Sequence, residues 1–368
     1  MTSTLNIPLF DLPVTASRAT RWWRLLVVIA VLGMGSAAAN AGTGYRFVLL
    51  GEGQATGINN KGQIVGVSQG AATLWEGSTK TTLGGGGSES WASDINDAGQ
   101  VVGWIHRSGE SEAALWNTQS SLAPIGLGRL NGTASQAYAI NDTGQIVGVR
   151  HSRDPSGRYD QDALQWTDGT ASVLLRDSIA LDINNAGQVV GSTGRVEYLD
   201  DISYAFVAQQ GQTTILPARG SLSGTAWAIN DVGTAVGTST GRLDANEPSY
   251  AMLWNDGAPT DLGIGEARDI NDAGQVVGSL GGHAAAVSHH GVVTNLGKFA
   301  GGTGWSLAAA SAINDSGWIV GHALNRYGRV NAYVLIPVPE PAAYAMVVCG
   351  GAMVGALAWR RKRRAPGP

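Results

Sequence analysis

A single phrase returns seven times along this chain of 368 residues: Ile-Asn, a short polar turn, Gly, an apolar pair and a second Gly. It first reads Ile58-Asn59, then Gly62-Gln63-Ile64-Val65-Gly66, and recurs from Ile95, Ile140, Ile183, Ile229, Ile270 and Ile313. Successive copies lie 37, 45, 43, 46, 41 and 43 residues apart. No other feature constrains the fold as much. A unit of roughly 40–45 residues is one supersecondary motif, and it buries its apolar face only against its neighbours.

Each unit reads as four strands. In the second they fall at 92–96, 100–104, 113–116 and 122–125, separated by Asn-Asp-x-Gly, a variable loop and a short turn. Asn or Asp followed by Gly supplies the positive φ that tight hairpins need. The abundance of Gly (53) and the low charge (14 %) suit many short strands rather than helical bundles. The third stretch tends to end in Leu-Trp, and Trp75, Trp116, Trp166 and Trp254 are expected to fill space between units. Their alternative role would be stacking on sugars. The ends of the array are informative. A lone fourth-type strand (45–51) precedes the first Ile-Asn, and the last unit stops after a third-type strand (332–336). The N-terminal strand can therefore complete the last unit and remove an open edge. The expected fold is all-β. It is a seven-bladed β-propeller of four-stranded antiparallel blades, closed by the N-terminal strand joining the last blade. An N-terminal signal helix and a C-terminal transmembrane helix flank it. The Ile-Asn strand is expected to be innermost, where Ala92, Ser93, Ala139, Ala228 and Ala312 are small enough for a crowded centre.

The phrases Ala-x-x-Ile-Asn-Asp-x-Gly-Gln-x-Val-Gly and Ala-x-Leu-Trp resemble the HAF repeat of bacterial extracellular proteins, over about residues 45–336. The resemblance implies a propeller-like fold and an extracellular location, and no particular chemistry.

Residues 1–41 read as a signal peptide. Arg18, Arg21 and Arg24 precede an apolar run (25–32), and small residues lead to Ala39-Asn40-Ala41, which predicts cleavage after Ala41. An uncleaved anchor is the other reading. Residues 42–336 are the repeat domain. Residues 337–368 begin with Val338-Pro339-Glu340-Pro341 and continue through an uncharged run (342–359) to Arg360-Arg361-Lys362-Arg363-Arg364. The run is just long enough to span a bilayer, and the basic cluster would stop transfer and stay inside. The order resembles the PEP-CTERM sorting signal, which implies processing by an exosortase and association with exopolysaccharide. A plain C-terminal anchor is the alternative.

In an antiparallel unit, turns 1–2 and 3–4 lie at one end and loops 2–3 and 4–1 at the other. The first set is short. The second varies, as binding loops on a rigid scaffold do. The 2–3 loops are expected at 105–112, 150–162, 193–203, 239–249 and 322–331. They gather Arg107, Arg150, Arg153, Arg158, Tyr159, Arg195, Tyr198, Arg242, Arg326, Tyr327 and Arg329, the candidate binding residues. Arg forks and aromatic rings suit an anion or a glycan. Residues 42–336 carry 26 acidic against 16 basic residues, which argues against nucleic acid. The one cysteine, Cys349, excludes an intrachain disulfide. The phosphate-loop, zinc-protease, nucleophile-elbow and EF-hand patterns are missing, and no cofactor, metal or catalytic residue is expected. Two functions follow as expectations. One is a noncatalytic surface or matrix protein binding polysaccharide or protein through its variable loops. The other is a propeller hydrolase or lyase acting on exopolysaccharide. The expected course is export, an inner-membrane-anchored precursor, and then the cell surface or the extracellular space.

Overall fold

The repeated phrase is a hairpin with a fixed internal logic. In the first copy the Gly62 N–H donates to the Asn59 carbonyl and the Asn59 N–H to the Gln63 carbonyl, each at 3.1 Å. The same pair of bonds recurs in all seven copies. The turn glycine sits at φ between +72° and +84° throughout, a conformation costly for any residue with a Cβ. The second glycine has a different reason. A Cβ added at Gly66, Gly103, Gly148, Gly191, Gly237, Gly278 or Gly321 would lie 1.9–2.1 Å from a main-chain oxygen of the neighbouring strand. Opposite each stands a buried alanine, and the register slips by one residue just after it. The slip is a β-bulge, which bends the first strand.

The computed structural model describes residues 44–85, 89–153, 159–194, 203–220, 223–240 and 248–338. Strand β1 (Tyr45–Glu52) opens the chain. The first sheet is β2 (Gln54–Ile58), β3 (Ile64–Ser68), β4 (Ala71–Glu76) and β5 (Thr79–Thr82). The second is β6 (Ser90–Ile95), β7 (Gln100–Arg107), β8 (Glu110–Asn117) and β9 (Ser121–Gly126). The third is β10 (Ala134–Ile140), β11 (Ile146–Arg153), β12 (Tyr159–Thr167) and β13 (Thr170–Arg176). The fourth is β14 (Ser178–Ile183), β15 (Val189–Thr193), β16 (Tyr204–Gln209) and β17 (Gln212–Ile215). The fifth holds β18 (Ser223–Ile229), β19 (Ala235–Thr240), β20 (Tyr250–Asn255) and the first half of β21 (Ala258–Ile270). The sixth takes the second half of β21, then β22 (Val276–Leu280), β23 (His283–His289) and β24 (Val292–Asn295). The seventh is β25 (Trp305–Ile313), β26 (Ile319–Asn325) and β27 (Val330–Pro337), with β1 paired antiparallel to β27.

The all-β class and the completion of the last sheet by the N-terminal strand match the expectation. Three details differ. Strand β21 runs 13 residues without a loop and fuses the fifth and sixth sheets into one seven-stranded sheet. A short 3-10 helix, η1 (Leu296–Ala300), directly follows the sixth unit's fourth strand in a repeat domain expected to be strand and turn alone. Several expected 2–3 loops are largely strand. The segment 105–112 is taken up by β7 with β8, the described parts of 150–162 belong to β11 and β12, and 322–331 contracts to a turn at 326–329. Here the polar residues simply extend a hairpin, because period-two pairing does not require both faces to be apolar.

The core is a series of apolar layers between consecutive sheets. A seventh layer joins Ala312, Val320, Ala332 and Val334 of the last sheet to Ala55, Ile58, Ile64 and Trp75 of the first. Trp116, Trp166 and Trp254 are buried in such layers, and each indole N–H donates to a main-chain oxygen of the preceding sheet, Gly84, Leu127 and Pro217, at 2.7–3.0 Å. The expected space-filling role is what the structure holds. Burying a large aromatic in this way stabilises by about 2–3 kcal/mol.

Candidate functional site

The candidate binding residues divide. Arg326, Tyr327 and Arg329 lie on the tight turn between β26 and β27, with Tyr327 72 % exposed and the Arg326 guanidinium 4.6 Å from its ring centre. Arg107, at the end of β7, reaches the Glu112 carboxylate at 3.3 Å. Arg150 is held by the scaffold. Its guanidinium donates twice to the buried Asp162 carboxylate, at 2.6 and 3.1 Å, and once to the Leu130 carbonyl. Arg153 and Tyr159 form the mouth of the β11–β12 hairpin. Arg158, Arg195, Tyr198 and Arg242 lie outside the described residues, as do Ala39, Ala41, Pro339, Glu340, Pro341 and the basic cluster from Arg360 to Arg364. Val338 is described, and its N–H donates to the Gly44 carbonyl. No helix among the described residues is long and apolar enough to cross a membrane.

At the other end of the strands, the Ile-Asn-Asx turns meet one another. Asn59 donates from Nδ2 to the carbonyl of Asn96, Asn96 to Asn141, Asn141 to Asn184, Asn184 to Asn230, Asn230 to Asn271, and Asn271 to Asn314, at 2.9–3.0 Å. Asn314 then donates to Asn59, and the cycle returns to its start. The same Asn side chain accepts an N–H four residues on, in each copy. Where that residue is Gln, Nδ2 also donates to its Oε1. Only an amide offers this set of one acceptor and two donors.

A second cycle runs in the same direction, with the main chain as donor and the side chain as acceptor. The Oδ1 of Asp97 accepts the Asn60 N–H, and the relation repeats through Asp142, Asn185, Asp231, Asp272, Asp315 and back to Asn60, at 2.8–3.0 Å. The Asn185 amide also bridges the Asp142 and Asp231 carboxylates, at 3.0 and 2.8 Å. Asp272 stands between two carboxylates, and its own carboxyl is raised by burial first and by Asp315 and Asp231 in addition.

These turns line a polar pocket of about 170 Å³, which in the second copy reaches Asp94, the residue before Ile-Asn. That position alternates in small and acidic residues: Gly57, Asp94, Ala139, Asp182, Ala228, Asp269 and Ala312. Asp94 accepts the N–H of Ile95 in its own sheet and of Ile140 in the next. Asp182 does the same for Ile183 and Ile229, and Asp269 for Ile270 and Ile313. The distances are 2.7–3.0 Å. The three carboxyls are only half-buried by area, yet the surrounding strands remove most of the water that would solvate their charge. That loss raises Asp94, pushes Asp182 up to about 7, and holds Asp269 well above the ordinary range. Repulsion within the trio adds to the rise at Asp182 and Asp269, while the main-chain donors oppose it. Among the described residues no group of three His, Cys, Asp or Glu is placed to hold a metal.

Sequence reasoning treated the first strand as scaffold and missed these three carboxylates. It also missed four large residues higher on the same strands: Trp91, Tyr138, Trp227 and Arg268. The Arg268 guanidinium lies 4.6 Å from the Trp227 ring centre and pairs with Glu266, and the Trp227 indole donates to Thr238 at 3.0 Å. Burial raises the Tyr138 phenol to about 12. The readable signal was a contrast between copies. Three residues before the Asn, the position varies as Thr56, Ser93, Tyr138, Leu181, Trp227, Arg268 and Ser311, beside an alanine that never varies. No family model matches the chain, and no curated protein matches it.

Proposed function

We propose that this chain is an exported surface or matrix protein whose seven sheets are the blades of a closed propeller, and that the propeller binds polysaccharide or protein without catalysis. The two turn cycles and the apolar layer between the last and first sheets support closure. The observation that carries the binding reading is the difference between the two ends of the strands. One end is locked by repeated main-chain and amide contacts. The other bears hairpins of unequal length, with Arg326, Tyr327 and Arg329 gathered on one turn. Export follows from residues 1–41, and sorting from residues 337–368. In this reading an exosortase acts at Val338-Pro339-Glu340-Pro341 while the C-terminal segment holds the precursor transiently in the inner membrane. The product resides at the surface or outside the cell.

The test is binding of the full-length protein to exopolysaccharide and to a glycan array at modest salt. Joint substitution Arg326→Ala, Tyr327→Ala and Arg329→Ala is expected to weaken binding at least about tenfold, a change of ~1.4 kcal/mol. Undiminished binding would rule out this turn as the contact. The second reading, a glycan hydrolase or lyase, is favoured by one observation: Asp94, one of three raised carboxyls, lines the polar pocket. Against it, both oxygens of each carboxyl accept main-chain donors. New reducing ends or unsaturated sugars released from exopolysaccharide would favour the enzyme.

A further inference from the structure

We infer that the gap between the third and fourth sheets is a binding site for a short neutral saccharide. The repeat itself explains why a gap exists there. Trp116, Trp166 and Trp254 occupy one register position, opposite Val101, Ile146 and Ala235. In the fourth sheet the residue in that register, opposite Val189, is Ala208. Two other sheets also lack the indole, but their layers are filled. Tyr333 and Leu335 occupy the sixth–seventh layer, and Leu253, Leu262 and Leu280 crowd the fifth–sixth. Between the third and fourth sheets, Phe206, two residues before Ala208 on the same strand face, is fully buried, and Ile183, Val189, Leu174 and Leu175 complete the described layer, so the space left lies at the turn end beside Ala208.

A pocket of about 610 Å³ lies at this place, with Ala208, Leu174 and Val189 among its walls. That volume is in the range of small-molecule sites. Its remaining walls are mostly amides and hydroxyls. Gln145 and Gln165 come from the third sheet, and Gln209 and Gln210 from the β16–β17 turn. Amides offer both donors and acceptors, which suits vicinal hydroxyls, while the aliphatic patch suits the C–H face of a sugar ring. The lining contains no Lys or Arg, and its one carboxylate is Asp168. Asn185, which also lines it, contacts the Asp142 and Asp231 carboxylates. An anionic sugar is therefore disfavoured on charge. The site opens among the 1–2 and 3–4 turns, at the opposite end of the strands from Arg326 and Tyr327, and so goes beyond the proposed loop-face function.

The test uses the full-length protein, neutral di- and trisaccharides, and calorimetry. The wild type is expected to bind. Ala208→Trp restores the residue that four other sheets carry; it is expected to raise the melting temperature and to weaken saccharide binding at least about tenfold. Unchanged binding by a folded Ala208→Trp variant would overturn the assignment, as would a wild type that binds polymer but none of these short neutral sugars. The latter leaves the loop-face reading standing. Should Ala208→Trp fail to fold, Gln165→Ala with Gln209→Ala decides: a severalfold loss of affinity at unchanged melting temperature supports the site, and unchanged affinity overturns it.

Discussion

The invariant Asn of each turn shows how one residue type can be required by hydrogen-bond stoichiometry alone. It accepts from its own turn and donates to the next sheet, and an Asp there would place a carboxylate oxygen against a carbonyl. The acidic residues two places earlier act on a different balance. In the unfolded chain Asp182 ionises near ~3.9. In the fold it does so at about 7. Between those values the folded chain binds more protons, so this group's contribution is fully present below about pH 4 and is lost as pH rises to about 7. Asp94 and Asp269 shift in the same direction. Alanine already occupies the equivalent position at Ala139, Ala228 and Ala312, so Asp182→Ala is compatible with the strand. Thermal melts from pH 4.5 to 7.5 are expected to show a shallower fall in stability for this variant than for the wild type. An identical slope would mean that Asp182 ionises as it does in water.

At the scale of the element, the bulge decides what the hairpin can tolerate. In Gly148→Ala the new methyl would stand 2.0 Å from the Gln136 carbonyl oxygen. The strand must move or the bulge must straighten, and either displaces Ala137 from the third sheet's apolar layer. The expected cost is about 1–3 kcal/mol, measurable as a lower denaturant midpoint with little change in slope. Glycine in this place was legible in the sequence as a repeated letter, but its reason was not, because a close approach of main chains leaves no trace in composition. The hairpins between second and third strands were misread for a related cause. Residues such as Arg107 and Glu110 looked like loop because they are charged, yet their pairing across β7 and β8 is a main-chain matter. Arg150 likewise read as a ligand-binding fork. Its partner Asp162, twelve residues away, becomes visible only once β11 and β12 are in register.

For the whole molecule, the repeat count, the lone strand before the first copy and the missing fourth strand of the last were enough to foresee that β1 completes the seventh sheet. The cross-sheet contacts were not foreseeable, since they link residues about one repeat apart and, between the last and first copies, 255 apart. Deleting residues 45–52 is expected to leave the outer edge of β27 unpaired. It also removes Tyr45 and Phe47, which pack on Phe299 and Tyr333. Size-exclusion chromatography of the shortened protein should show self-association, and a monomer as stable as the parent would mean that β1 contributes little.

A carboxyl group has two oxygens, so it serves strands in pairs, and the number of strands here is odd. Three such groups cover six isoleucine amides, and parity leaves Ile58 as the seventh. The first sheet also holds Trp75, a buried indole whose Nε1 has no hydrogen-bond partner, whereas Trp116, Trp166 and Trp254 each have one. The remainder thus falls beside the junction between the first sheet and the last. An even-numbered relative built on the same device would have no remainder to place.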